Sequence, residues 1–247
     1  MSLLKPTPVS SVEDVRRFFD AFAPLNVEQH GNADKLLDYR VSLLVSHAQL
    51  RPSDRVLDIG CGNGHHLFAM DGAFRSATGV DLAPGMIKAA RYGIPAKGHS
   101  TYAFMVDDAH VLSEVSEAGF DVVFCVGALE HMPDKPEVLQ TVFRVLRKGG
   151  RFVCLTPNDQ FLWYRWLAPR RGYETRHLST DRRLKPTEAR KLINKAGFSH
   201  CRIDYWTFIP SGDMPRGYAS FCKALDMLGH IIAPASLRGG LVISAIK

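Results

Sequence analysis

The chain has 247 residues, 46% of them hydrophobic and 23% charged, with a formal net charge of +6 and a pI near 9.1. That length supports one α/β domain with a large core, and the composition is that of an ordinary globular protein. No apolar run approaches the roughly 20 residues needed to cross a bilayer, and mild basicity is a weak pointer to an anionic partner.

Ser11 opens a helix with Asp14 placed as the third residue of a capping box. Val12, Val15, Phe19 and Phe22 fall on one face, and Pro24 stops the pattern. A second helix is expected over about Ala33 to Gln49, with Leu36, Leu37, Leu43 and Leu44 inward. From Arg55 short apolar runs alternate with helical stretches: RVLDIG (55–60), TGVD (78–81), YAFMVD (102–107), FDVVFCV (120–126) and RFVCLT (151–156). A helix from about Pro136 to Arg147 lies between the last two and ends at Gly149-Gly150. Buried β-runs alternating with helices imply right-handed βαβ units and a doubly wound parallel sheet. The segment 157–185 is aromatic, basic and aperiodic. After it come a helix over about Thr187 to Ala196, capped by Gly197, and a strand near His200 to Tyr205. A helical stretch near Arg216 to Ile231, carrying Phe221, Leu225 and Leu228 with Ile232 just beyond, precedes a last strand, GLVISAI (240–246). No linker or repeat divides the chain. It therefore reads as a single domain over residues 1–247, with residues 1–50 a helical cap and 157–185 and 206–238 pocket or lid insertions.

MSLLKPTPVS lacks an apolar h-region followed by a small-residue cleavage site, so a cytoplasmic protein is expected. Cys61, Cys125, Cys154, Cys201 and Cys222 are odd in number, with no C-x-x-C pair, which argues against a disulfide framework or zinc site. No metal is expected.

The sharpest motif is Asp58-Ile59-Gly60-Cys61-Gly62-Asn63-Gly64, at the end of a hydrophobic strand and before a helix. Glycines there allow a tight turn and a close ligand approach. The dinucleotide fingerprint needs its third glycine where His65 stands. Asp81 ends the next strand, where a carboxylate can accept both hydroxyl hydrogens of a ribose. Leu82 and Met86 follow, suited to a purine face. Asp107-Asp108-Ala109 ends the third strand, where a carboxylate can accept an adenine amine. Each Asp alone also reads as a turn or cap residue; three at the ends of successive strands point to a ligand above the sheet.

The sequence resembles the class I S-adenosylmethionine (SAM) dependent methyltransferases, in the group that includes the ubiquinone and menaquinone enzymes. VLDIGCGNG, GVDLAPGMI, VDDAHVL, FDVVFCVGALEHM and VLRKGGRFVCLTPN match the family's first five motifs in order. RHLSTDRRLKPTEARKLINKAGF resembles its approach to the sixth strand. The resemblance covers about residues 35 to 205. It implies a Rossmann-like, seven-stranded sheet of order 3-2-1-4-5-7-6 with strand 7 antiparallel. SAM is then the cofactor and S-adenosylhomocysteine its product. Gly60, Gly62 and Gly64 would line the methionine part and Asp81 bind the ribose, with Asp58 and Cys61 of the same motif also counted as cofactor-binding. Asp108 with Ala109, or Asp107 in its place, would frame the adenine, with Leu82 and Met86 against the purine face; Val126 is a further cofactor-binding candidate. Arg40 could reach the cofactor carboxylate from a helix closing over it, though a helical arginine is more often surface.

Methyl transfer needs alignment, exclusion of water and, for a weakly acidic nucleophile, a base. His131 is the candidate base; it also reads as a loop-holding histidine. His177 reads as a pocket residue or a loop anchor, and His30 is a weaker candidate. Phe161-Leu162-Trp163-Tyr164-Arg165-Trp166-Leu167 reads as a lid for an aromatic or lipidic acceptor, with peripheral membrane contact allowed, or as packing of an inserted helix. Residues 165–195 hold ten Lys or Arg against Glu174, Asp181 and Glu188, a net +7. The expected activity is methylation of an O, N or C nucleophile of a small molecule. The alternatives are a nucleic-acid methyltransferase using the basic segment, or a non-catalytic SAM-binding scaffold. Against the former, Gly127-Ala128-Leu129-Glu130-His131 stands where amino-methylating nucleic-acid enzymes present Asn/Asp-Pro-Pro-aromatic. Monomer and homodimer are both open.

Overall fold

A computed structural model describes residues 5–23, 33–172, 175–206 and 238–247. The expected helix near 216–231 with its apolar positions, and also Pro24, His30 and Cys222, lie outside the described residues.

Helix α1 (Val12–Phe22) begins with the capping box its sequence predicts: Ser11 accepts from the Asp14 backbone, and Asp14 accepts from the Ser11 backbone. Val15 is buried on its inner face, whereas Val12, expected inward, is exposed at the first turn. Helix α2 (Ala33–Ala48) buries Leu36, Leu44 and Ala48, with Leu37 and Leu43 only half-buried.

Seven strands follow: β1 (Arg55–Ile59), β2 (Ser76–Asp81), β3 (Thr101–Val106), β4 (Phe120–Val126), β5 (Leu146–Pro157), β6 (Ser199–Trp206) and β7 (Gly240–Ile246). Between them lie α3 (His65–Ala69), α4 (Pro84–Tyr92), α5 (Lys135–Val145), the short α6 (Ala168–Arg170) and α7 (Pro186–Lys195). The sheet order is β3-β2-β1-β4-β5-β7-β6, with β7 antiparallel to both neighbours, as the motif order implies.

Side chains alternate across the sheet, so β4 sends Val123 and Cys125 to one face and Val122, Phe124 and Val126 to the other. Val123 and Cys125 meet Val138, Leu139 and Val142 of α5 and Ala189 and Ile193 of α7. The opposite face meets α2, α3 and α4 through Leu36, Leu44, Leu67, Ile87 and Ala90. Parallel strands buried on both faces explain why their sequences read as unbroken apolar runs.

One boundary differs from the sequence reading. Gly149-Gly150 do not end the preceding helix, which stops at Val145; β5 begins at Leu146, pairs there with Phe120, and makes an irregular turn at Gly149. Gly149 and Gly150 exchange backbone bonds with Lys247, the residue after β7. Pairing partners distant in sequence override the local Gly-Gly stop.

Strand order reverses beside β1, between β2 and β4, and the carboxyl ends of these strands open a crevice there, the usual ligand position in open α/β sheets. No helix among the described residues is long and apolar enough to cross a membrane.

Candidate active site

Asp58 lies near the end of β1, and the glycine loop turns immediately after it. Gly60, Gly62 and Gly64 all have positive φ. At Gly60 the requirement is twofold: φ is +68°, and a Cβ there would stand 2.4 Å from the Ala128 Cβ. The glycine loop is thus packed directly against the turn that follows β4. Backbone N–H groups of Gly60 and Cys61 both donate to the Val80 carbonyl, tying the loop to β2. Cys61 is buried and its thiol pKa is pushed well up, first by burial and then by the Asp81 and Asp58 charges, so it is inert.

Asp81 does more than end β2. Its Oδ2 accepts the Gly62 N–H at 2.9 Å and its Oδ1 accepts the Ala83 N–H at 2.9 Å. One carboxylate therefore fixes the glycine loop relative to the start of α4 and keeps a lone pair on each oxygen for a further donor. Burial raises its pKa, opposed by those N–H bonds. Leu82 is half-buried and Met86 is buried in the first turn of α4.

Asp107 and Asp108, alternatives in the sequence, differ in their hydrogen bonding. Asp107 accepts from the backbones of Asp108 and Glu114 and from Ser113 Oγ, so its carboxylate caps its own loop. Asp108 gives only Oδ1 to local partners, the His110 N–H at 2.9 Å and the His110 ring Nδ1 at 2.6 Å. Its Oδ2 takes no hydrogen bond among the described residues. Ala109 sits half-buried beside it, and Val126 ends β4, buried.

Asp58 tests whether these residues suit a zwitterionic sulfonium cofactor. It is 1% exposed, and neither carboxylate oxygen has a hydrogen-bond partner among the described residues. Burial first, and the Asp81 charge second, push its pKa up to about 7. A buried carboxylate without a partner is costly. The α-ammonium of a methionine moiety is a group of the right charge to offset that cost, so the site fits. Arg40 lies on α2 with its guanidinium 5.5 Å from the centre of the Trp206 ring at the end of β6.

Two of the candidate histidines, His131 and His177, come together beside the turn that follows β4. A one-turn 3-10 helix, Leu129–His131, follows β4. His131 Nδ1 is 2.6 Å from Asp181 Oδ1, and both side chains are nearly buried. Asp181 Oδ2 accepts the backbone N–H groups of His177 and Leu178. The His177 ring lies 5.7 Å from the His131 ring, and the Phe19 ring of α1 lies 5.1 Å from it. Burial pulls the His131 pKa down, but the Asp181 hydrogen bond and the Glu130 and Asp181 charges outweigh it, and the net shift is upward. Burial likewise pushes Asp181 up, and is outweighed by its bond to His131, so Asp181 is held below the usual carboxylate range.

Helix α1 is clasped over this cleft. Thr7 and the segment 177–179 exchange backbone bonds, and Asp20 accepts the Gly85 N–H in the first turn of α4. In the sequence Asp181 counts only as an acid within a basic run; nothing local pairs it with a histidine 50 positions away. The basic run is also less open than its charge suggests. Arg182 pairs with Glu188, Arg183 holds Thr175 and covers Tyr164, Arg170 covers Trp166, and Arg190 donates to the Cys201 carbonyl. Trp163 is fully buried, so part of the aromatic stretch is packing, while Trp166 is exposed.

Comparison with known proteins decides the family. A model described as "Methyltransferase domain" matches residues 50–197, more than half of the chain. The chain belongs to the SAM-dependent methyltransferases. Among its relatives in that family, the ubiquinone biosynthesis O-methyltransferase of Idiomarina loihiensis is 32% identical over 204 residues, covering 81% of this methyltransferase and 82% of the relative. The 27-O-demethylrifamycin SV methyltransferase of Amycolatopsis mediterranei is 32% identical over 173 residues, 60% of this chain. That match spans only 58% of the rifamycin enzyme's length. In three dimensions the chain resembles the [4+2]-cyclase SpnF, with a TM-score of 0.67 at 19% identity, covering 98% of this chain and 99% of SpnF. That likeness shows the fold alone, and a cyclase with the fold of a methyltransferase shows why the chemistry must be argued from the site.

Proposed function

We propose that this methyltransferase transfers the SAM methyl group to a hydroxyl of a small, flat and largely apolar molecule, with His131 as general base. The observation that carries the reading is the buried hydrogen bond between His131 Nδ1 and Asp181 Oδ1 at 2.6 Å, on a turn packed against the glycine loop. Asp181 favours the tautomer with the proton on Nδ1, which leaves Nε2 able to accept one. A neutral hydroxyl is a weak nucleophile, and a base adds roughly 10²–10⁴-fold for such an acceptor. A nucleophile that is reactive without losing a proton beforehand, such as a neutral amine or an oxygen already ionised, would gain little from this arrangement. The Phe19 and His177 rings lie 5.1 and 5.7 Å from the imidazole, which suits a planar acceptor.

SAM, when bound, supplies a methyl group already activated by the sulfonium charge. Asp58 would hold its ammonium, with Arg40 opposite its carboxylate. The backbone at Gly60, Cys61, Gly62 and Gly64 would line the methionine part, and Asp81 would hold the ribose. Asp108 through Oδ2, with Leu82, Met86, Ala109 and Val126, would frame the adenine. Asp107 is assigned to its loop instead. His131 takes the acceptor proton and, as an imidazolium, is stabilised by Asp181. His177 shapes the wall beside it. Two relatives described as O-methyltransferases or acting on an O-demethyl compound support a hydroxyl acceptor.

The test is a set of hydroxylated aromatic and polyketide acceptors with wild type and His131→Gln. The reading expects turnover with release of one S-adenosylhomocysteine per methyl ether and a loss of about 10²–10⁴-fold in kcat in the variant. Full activity of His131→Gln on a hydroxyl acceptor would remove the base.

A further inference from the structure

Lys135 is buried, at 4% exposure, and no step assigned above uses it. Its position is unfavourable on two grounds. An ammonium out of water is costly, and Lys135 is the first residue of α5, where the helix dipole opposes a cation. Burial pulls its pKa down. What it touches offsets the cost. Nζ donates to the Met132 carbonyl at 2.8 Å and to the Glu130 carbonyl at 3.4 Å. Those are the carbonyls on either side of His131. The same turn is held from two more directions: Thr156 Oγ1 of β5 donates to Glu130 Oε2 at 3.0 Å, and the Arg182 backbone N–H donates to the Glu130 carbonyl at 2.9 Å. Thr156 is fully buried and Glu130 nearly so.

We propose that Lys135 is a positioning residue for His131, its buried ammonium clamping the two carbonyls that bracket the base. The proposal rests on His131 acting as base. It has an electrostatic consequence that a mere structural clip would lack. His131 faces Asp181, Glu130, Lys135 and the His177 ring; Lys135 in turn faces Glu130, Asp181 and Glu188, with Arg182 opposing. The Glu130 and Asp181 carboxylates both favour the protonated imidazole. The Lys135 charge works against them.

The experiment follows the His131 ring by NMR in isotope-labelled protein through a pH titration, in wild type, Lys135→Met and Lys135→Arg. Methionine keeps the stem and removes the charge. The His131 titration midpoint is expected to rise by about one unit in Lys135→Met. At a pH below that midpoint kcat falls about tenfold with the acceptor KM little changed, and Lys135→Arg recovers most of both. A folded Lys135→Met with an unmoved His131 midpoint overturns the proposal whatever its activity. If Lys135→Met does not fold, Lys135→Gln, which keeps a donor toward the two carbonyls without the charge, gives the same reading: the His131 midpoint must rise, and an unmoved midpoint overturns the proposal. Failure of the base reading is seen separately, as full kcat in His131→Gln, and leaves the NMR result to stand on its own.

Discussion

Replacing Asp181 with asparagine separates orientation from packing. The asparagine side chain has nearly the same volume, and its amide oxygen can keep accepting from the His177 and Leu178 backbones, as Oδ2 does in the wild type. Its NH2 group then faces His131 Nδ1, where Asp181 Oδ1 now sits at 2.6 Å. A donor there favours the tautomer protonated on Nε2, the one that cannot take a proton from the acceptor. The loss should approach that of the base itself, roughly 10²–10⁴-fold in kcat. Asp181 is also a main cause of the raised His131 pKa, so the acid limb of the residual pH–rate profile should move to lower pH as the plateau falls. Stability adds an independent readout. His131 has a raised pKa in the folded state, so the pair's contribution is fully present below the unfolded value of about 6.5 and fades as pH rises through the folded one. Asp181 has a lowered pKa, so its share is present above about 3.9 and fades as pH falls below that. The melting temperature of Asp181→Asn should therefore trail wild type most between about pH 4 and 6.5, and progressively less as pH rises past the raised folded-state His131 pKa. Unchanged kcat with a depressed melting temperature would show that the pair is a structural clip and refute the catalytic reasoning.

Other expectations follow from the cofactor crevice. Asp81→Ala removes the acceptor for two backbone N–H groups and the proposed ribose contact. S-adenosylhomocysteine affinity should drop by about 2–4 kcal/mol, roughly 30- to 1000-fold in Kd by calorimetry; a change under about threefold would place the ribose elsewhere. Gly60→Ala should cost at least about 2 kcal/mol of stability and abolish cofactor binding, because a left-handed φ and a 2.4 Å Cβ contact are imposed together. Wild-type melting and affinity here would mean the loop repacks freely. For Asp58 the folded pKa is about 7, above the unfolded value of about 3.9, so the folded state binds the extra proton and apo stability falls as pH rises between them. Asp58→Asn should therefore melt higher than wild type at neutral pH without ligand, yet bind S-adenosylhomocysteine more weakly; tighter binding would sink the proposed ammonium contact. Asp107→Asn should leave that affinity within about twofold whereas Asp108→Asn lowers it about tenfold or more; equal losses would contradict the division of roles read from their hydrogen bonds.

What is legible in the sequence follows from range. The strands β1 to β5 and the helices between them announce themselves because a parallel sheet buried on both faces demands apolar runs, and because glycines at 60, 62 and 64 are needed for backbone geometry. His131 stands out by its place after β4. What cannot be read depends on pairings that the one-dimensional pattern does not encode, whether far along the chain or within a folded loop. Leu146 looks helical until Phe120 is seen beside it. Asp107 and Asp108 are interchangeable on paper and divide only when the loop folds back to bring Glu114 to one and His110 to the other. Asp181 and Lys135 each look like ordinary charges, and their burial around one histidine arises from packing of the 177–182 loop against the turn after β4. The roles of residues 1–50 and 157–185 as cap and lid stay a proposal, supported by α1 sitting on His131 through Phe19.

The central claim is most directly tested by supplying SAM with a trideuterated methyl group, together with hydroxylated aromatic and polyketide acceptors, and analysing product and by-product by mass spectrometry. The account predicts a labelled methyl ether formed in equal amount to S-adenosylhomocysteine, and its loss in His131→Gln. Label found on nitrogen or carbon, or an altered acceptor formed without S-adenosylhomocysteine, would contradict it.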